Sequence, residues 1–168
     1  MTASRPATPS DIPILLEWES SLYAEDGSSP FSRLDAEHAL RELLADPALG
    51  LAWILQWQGH DAGYLLLAWS FSLEYHGRDA FVDELYVLRD YRNRGLGAYA
   101  LTLAEDACRA RGVGTLHLEV ERSNPRAQAF YRGAGFKDHD RYLMSKQLDG
   151  QAVPWSRAPC RRIAEEPR

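Results

Sequence analysis

Arg92, Gly95 and Gly97 stand at the spacing R-x-x-G-x-G within DYRNRGLGAYAL, residues 90–101, immediately ahead of an apolar helical pattern. Glycines let a backbone come close to a ligand, a helix start presents unpaired N–H groups with a partial positive charge, and arginines add full charges. That combination suits an anion, most naturally a phosphate. Two other readings fit the residues less well. The glycines alone would make a tight strand-to-helix turn, leaving Arg92 and Arg94 as solvated decoration. Gly95 to Ala100 also matches the dinucleotide pattern G-x-G-x-x-A, with Glu119 about 20 residues on. That pattern wants its first glycine directly after a strand, whereas Leu88 to Arg94 intervene after Val87, and no further strand–helix units follow to build a doubly wound sheet. A Walker loop is excluded because no G-K-[ST] follows the glycines.

The remaining reactive residue types are sparse. His38, His60, His76, His117 and His139 form no metal-ligand spacing and read as surface histidines. Cys108 lies on an apolar stripe and reads as core, and with Cys160 as its only fellow no disulfide framework or CxxC knuckle can be drawn. A formal net charge of -5 argues against nucleic acid or anionic lipid and favours a cationic partner. The start, MTASRPATPSD, lacks the apolar segment of a secretion signal, and no run approaches the roughly 18 apolar residues that span a bilayer. A soluble, cytoplasmic protein is expected, without metal, nucleic-acid or membrane partners.

The elements that must position the loop follow from periodicity. Ser10 or Thr8 caps a first helix carrying Ile12, Leu15, Leu16 and Leu22, which ends before Gly27. Ser32 caps a second through Leu34, Leu40, Leu43 and Leu44, stopped by Asp46 and Pro47. LAWILQW, AGYLLLAWSF and AFVDELYVL read as a meander of strands, so two helices precede the first strand. Leu96, Tyr99, Ala100, Leu103, Ala104, Ala107 and Cys108 make a helical stripe that stops at Gly112. The alternating TLHLEVE is the next strand, Asn124 and Pro125 start a short helix to Gly133, and RYLMSKQL supplies a closing strand. Residues 149–168 hold prolines without a period and read as a tail or arm, partly disordered; residues 1–148 form a single α/β (α+β) domain with a mixed sheet.

LYVLRDYRNRGLGAYAL closely resembles the acetyl-CoA pyrophosphate motif of the GNAT superfamily of acyl-CoA-dependent N-acyltransferases, and LHLEVERSNPRAQAFYRGAGF resembles the downstream motif of the same superfamily. The resemblance runs over roughly residues 5 to 148 and is strongest from Phe81 to Phe136. Within the superfamily, DAFVDELYVLRDYRNRGLG and LLEWESSLYAED are most similar to the spermidine/spermine and thialysine acetyltransferase branch. The downstream block equally resembles ribosomal-protein N-terminal acetyltransferases and leaves the acceptor open.

The resemblance implies a GNAT-like fold: a mixed, mostly antiparallel central sheet flanked by helices, with two parallel strands splayed to admit the cofactor. It implies direct acetyl transfer from acetyl-CoA to a primary amine, most plausibly that of a small molecule such as a polyamine, diamine or amino-acid-like compound. A protein N-terminus or lysine as acceptor, or a noncatalytic acyl-CoA-binding protein, are the alternatives. By the same resemblance the pyrophosphate sits on Arg92, Asn93, Arg94, Gly95, Leu96, Gly97 and Ala98. Leu85, Tyr86 and Val87 flank the pantetheine arm, and Asn124, Arg126 and Ala127 contact the cofactor from the short helix. Tyr131 matches the proton donor to the leaving thiolate, and a homodimer is plausible by family habit. Asp83 matches the substrate-contacting acid, and Tyr23 lies on the helix that lines the amine site.

An alkylammonium with a pKa near 10 must lose a proton before it attacks, and a carboxylate or an ordered water can accept it. Asp83 is the first candidate and Glu84 the second. Strand alternation puts the two on opposite faces, so only one is expected to face the substrate. Glu17, Glu19, Glu25 and Asp26, with Trp18 and Tyr23, offer further charge and cation–π contact for a cation.

Overall fold

The computed structural model describes residues 1–26 and 31–146. The helical stripe after the glycine loop forms as its spacing predicts. Leu96, Ala100, Leu101, Ala104 and Cys108 are the buried face of α3 (Leu96–Ala110), which lies against one side of a five-stranded sheet. The strands run in sequence order: β1 (Thr2–Pro6), β2 (Gly50–Trp57), β3 (His60–Ser72), β4 (Gly77–Val87) and β5 (Thr115–Leu118). The first four are successively antiparallel, and β5 lies parallel to β4 after the crossover through α3. The opposite side of the sheet carries α1 (Ile12–Asp26) and α2 (Arg33–Ala45), whose Ile12, Leu15, Leu16, Trp18 and Leu40 close over Ile54, Tyr64, Leu66 and Tyr86.

Local signals account for most element ends. Ser32 accepts from the Asp35 amide at the start of α2, and Asn124 accepts from Ala127 at the start of α4 (Pro125–Gly133). Gln58 and Gly59 both take positive φ, 51° and 85°, between the paired residues Trp57 and His60, which makes the tight two-residue turn of the β2–β3 hairpin.

Three expectations need correction. A strand, β1, precedes the helices; it pairs along its length with the outer edge of β2 and carries almost no apolar residue, so no alternation announced it. Its Arg5 chelates Asp11 through two 2.8 Å hydrogen bonds and reaches Asp61, and the guanidinium holds the Asp11 carboxyl far below the usual carboxylate range. The closing strand is not formed over its described part, residues 141–146, which have no regular structure and leave Tyr142, Leu143 and Met144 exposed. Gln147, Leu148 and the tail at 149–168 lie outside the described residues. Finally, β5 ends at Leu118, so Glu119 to Glu121 do not extend the strand.

Candidate active site

The short pairing between β4 and β5 creates the central feature. Asp79 to Val82 lie beside Thr115 to Leu118, and beyond that point no strand accompanies β4 on this side among the described residues. Asp83 to Val87 therefore present a backbone edge with no neighbouring strand, the kind of edge that an extended amide-bearing ligand can pair with, although the Val87 carbonyl already accepts from Arg92 Nε. On the other side β3 stays paired with β4 to the end of the strand. It comes so close at Gly63, opposite Val87, that a β-carbon there would collide with the Tyr86 carbonyl.

A β-bulge sits where the strands part. Leu67 pairs with Val82 but Leu66 pairs with Glu84, so Asp83 is the extra residue. Packing records the change of phase. Ahead of the bulge Ala80 and Val82 join the core under α3, and beyond it Leu85 and Val87 do. Asp83, in step with Phe81, and Glu84, in step with Tyr86, consequently both face α1. The expectation that only one of them could is overturned, because alternation does not survive an inserted residue.

Those two carboxyls meet a third from α1 and a fourth from the end of β5. Burial and then Asp83 push the Glu19 carboxyl up to about 7. Burial, Glu19 and Asp83 push Glu84 up to about 8, although Tyr64 donates a 2.8 Å hydrogen bond to it. Asp83 opens to solvent but stands in a recess whose walls raise its carboxyl above the ordinary range. Glu119 is raised by burial, then by Asp83 and Glu121. Tyr23, from α1, borders the same group: burial and then Glu84, Glu19 and Asp83 push its phenol up to about 12. Among the described residues no three His, Cys, Asp or Glu side chains are arranged to hold a metal ion. What this cluster can do is hold one or more positive charges.

An acid raised in the fold but ordinary in the unfolded chain stays protonated longer in the fold. For Glu84 the window runs from its ordinary 4.5 to about 8. Stability is therefore full below that window and is lost as pH rises through it. The melting temperature of the wild type should fall between about pH 5 and pH 8, and Glu84→Gln, with no proton to lose, should flatten the fall. An unchanged slope in the variant would mean that Glu84 is not held protonated.

Other acids and aromatics of α1 have different duties. Trp18 is buried and stacks on Tyr64 at 6.2 Å, so it serves the core and not a ligand. Glu25 binds Arg89 at 3.1 Å and Arg92 at 2.9 Å; burial pushes its carboxyl up, but the two guanidinium groups outweigh this and hold it low. His117 is a further correction. It is not a surface residue: its ring lies between Tyr75 and Phe81, with Nε2 3.4 Å from a buried Asp79.

Asn93 and Gly95 take positive φ, 61° and 84°, on either side of Arg94, a backbone alternation of the kind that forms anion-binding nests. The amides of Asn93 to Ala98 find no acceptor among the described residues. Phosphate oxygens fit such a set. Arg92, which the motif places first, is a brace: its Nε donates to the Val87 carbonyl at 2.8 Å and its guanidinium grips Glu25 while lying over the Tyr86 ring. Arg126 donates to Asn93 Oδ1 at 2.7 Å and ties α4 to the loop. Leu96 is buried and Tyr86 turns its side chain towards α1, so only their backbone is available at the open edge and cradle. Asn124 is engaged in capping α4 through the Ala127 amide.

Tyr131 lies on α4 with its ring against Phe130 and Phe136, at the border of the core under α3. Phe130 in turn touches the start of α3: a β-carbon at Gly97 would lie 3.1 Å from its ring. Sequence reasoning missed Tyr64 and Glu119 as parts of the site. Tyr64 looked like one more aromatic of a core strand, and Glu119 gains meaning only from its position beside Asp83, which no local pattern reveals.

The profile of the Acetyltransferase (GNAT) family matches residues 12–136. Among curated proteins, a mycothiol acetyltransferase of Beutenbergia cavernae is 41% identical over 85 residues, 49% of this chain and 28% of its own length. A thialysine N-epsilon-acetyltransferase of Bos taurus is 30% identical over 76 residues, 45% of this chain and 44% of its own. The chain thus matches less than half the length of either relative. Among solved structures, an integron cassette protein from the mobile metagenome of Cole Harbour Salt Marsh is 32% identical, with 88% of this chain and 91% of that one covered and a TM-score of 0.75. A structure described as a predicted acetyltransferase with acetyl-CoA, from Clostridium acetobutylicum, shares the fold at a TM-score of 0.74, 18% identity and 87% and 96% coverage. The family match over residues 12–136, together with the fold shared with these solved structures, shows that the chain belongs to the GNAT acetyltransferase family.

Proposed function

We propose that the protein transfers an acetyl group from acetyl-CoA to the primary amine of a small cationic molecule, a polyamine, diamine or amino-acid-like compound. The observation that carries the acceptor side is the gathering of Glu19, Asp83, Glu84 and Glu119 where β4 and β5 part. Acetyl-CoA supplies the acyl thioester. The free amides of Asn93 to Ala98 fit its pyrophosphate, and the open edge from Asp83 to Val87 fits its amide-bearing arm.

The chain's own groups then divide the proton work. Asp83 is open to solvent at the mouth of the site, with Glu119 beside it, and accepts the ammonium proton directly or through a water. Glu84, whose carboxyl holds a proton to about pH 8 and is bonded to Tyr64, shapes the site and is the poorer base at neutral pH. Tyr131 gives its phenolic proton to the leaving thiolate. The similarity to a thialysine acetyltransferase supports an amine of this kind.

A panel of amines assayed by thiol release tests the acceptor. Primary amines bearing a second positive charge should exceed neutral-tailed amines of equal length by about tenfold or more in kcat/KM, the effect of one favourable charge contact. A preference for N-terminal or lysine peptides would make the protein a macromolecular acetyltransferase. Acetyl-CoA binding without thiol release for any amine would make it an acyl-CoA sensor.

A further inference from the structure

Arg94 is the arginine of the cradle whose charge is left over. Arg89 and Arg92 spend theirs on Glu25, and Arg126 donates to Asn93, whereas Arg94 makes no hydrogen bond or ion pair with any described residue. Its guanidinium is nevertheless placed. It stands 5.7 Å from the ring centre of Trp57, at the end of β2, and 5.8 Å from that of Tyr91, just ahead of the cradle. Both distances fall within the roughly 6 Å reach of a cation–π contact. A guanidinium held over ring faces by cation–π contact spends none of its N–H donors there, and those donors are what bidentate phosphate recognition uses.

Trp57 carries a second clue. Its indole N–H is buried without an acceptor among the described residues. A buried orphan donor is a cost, so a hydrogen bond does not explain the tryptophan; the use of its face does. Among the described residues Trp57 is the aromatic of β2 that lies against this arginine, and Tyr91 the aromatic of the motif that does.

We infer that Trp57 is a positioning residue for the acyl donor: with Tyr91 it holds the Arg94 guanidinium ready for a phosphate at the nucleotide end of coenzyme A. The inference rests on the cradle at Asn93 to Ala98 but adds to it a site element two strands away in sequence. It concerns the donor alone and is independent of which amine accepts the acetyl group.

The test is calorimetric binding of coenzyme A and of dephospho-coenzyme A to the full chain. Arg94→Met should weaken coenzyme A binding by roughly tenfold, the loss of one charge-assisted phosphate contact. Trp57→Ala should weaken it by a similar factor, Trp57→Phe should retain near wild-type affinity because it keeps an aromatic face and discards the orphan N–H, and the double variant Trp57→Ala/Arg94→Met should be no weaker than Arg94→Met alone. In turnover the loss should appear in KM for acetyl-CoA and not in kcat. A loss seen with coenzyme A but not with its dephospho form assigns Arg94 to the 3′-phosphate; a loss with both assigns it to the pyrophosphate. Wild-type affinity in both Trp57→Ala and Arg94→Met, or additive losses in the double variant, would overturn the inference. The cradle itself is judged separately by Gly97→Glu, so the two ideas can fail independently.

Discussion

Tyr131→Phe should lower kcat by about 10²-fold or more, the usual worth of a positioned general acid, while KM for acetyl-CoA should stay nearly unchanged. The phenylalanine ring retains the contacts of Tyr131 with Phe130 and Phe136, and the backbone hydrogen bonds that the Tyr131 carbonyl accepts from Ala134 and Phe136 at the end of α4 remain. Only the hydroxyl is lost. A purely structural tyrosine would reveal itself by a lowered melting temperature and an intact kcat. A proton donor reveals itself by the reverse, with the deficit shrinking for an acyl donor whose thiol leaves more easily. Full kcat with a competent amine would remove Tyr131 from the mechanism.

The second large effect belongs to the donor loop. Gly97→Glu should weaken coenzyme A binding by about 10²-fold, or ~2.7 kcal/mol, since it sets a carboxylate at the helix start where phosphate oxygens are expected. Bulk and charge can be told apart. Gly97 lies in the helical first turn, where alanine is intrinsically favoured, and its nearest neighbour is the ring of Phe130. Gly97→Ala therefore measures the modest cost of shifting that ring, and the difference between the two variants measures the charge. The charge part should shrink as salt is raised. Calorimetry at low and high ionic strength checks both statements, and equal affinity in wild type and Gly97→Glu would place the phosphates elsewhere.

The legible part of this protein was whatever depends on near neighbours in the chain. The stripe of α3, the cap at Asn124 and the hairpin turn at Gln58 and Gly59 each follow from a few adjacent residues. β1 escaped because its stability comes from backbone pairing with β2 and from Arg5 gripping Asp11, neither of which leaves an apolar rhythm. RYLMSKQL misled for the complementary reason: alternation records which way side chains point and says nothing about a free edge to pair with. Within the proposed site, Asp83 and Tyr131 were the residues that motif spacing singled out. Glu119 and Tyr64 were not, since each acquires its role from a residue on another strand. Arg92 shows the limit of spacing even where it works, for the motif located the residue and the structure gave its guanidinium to Glu25 and the Val87 carbonyl.

The extra residue at Asp83 gives β4 the character of two short strands spliced out of phase. Ahead of the extra residue the even-numbered Ala80 and Val82 face the core under α3, and after it the odd-numbered Leu85 and Val87 do, so the numbering of tolerant positions shifts while the apolar side stays the same. A single deletion at 83 would restore regular alternation, with Leu66 still opposite Glu84 and every later residue still on its present face. It would remove one carboxyl together with the bulge that sets two acids side by side on the face towards α1. The chemistry of the pocket is thus stored in the length of the strand as much as in the identity of its acids.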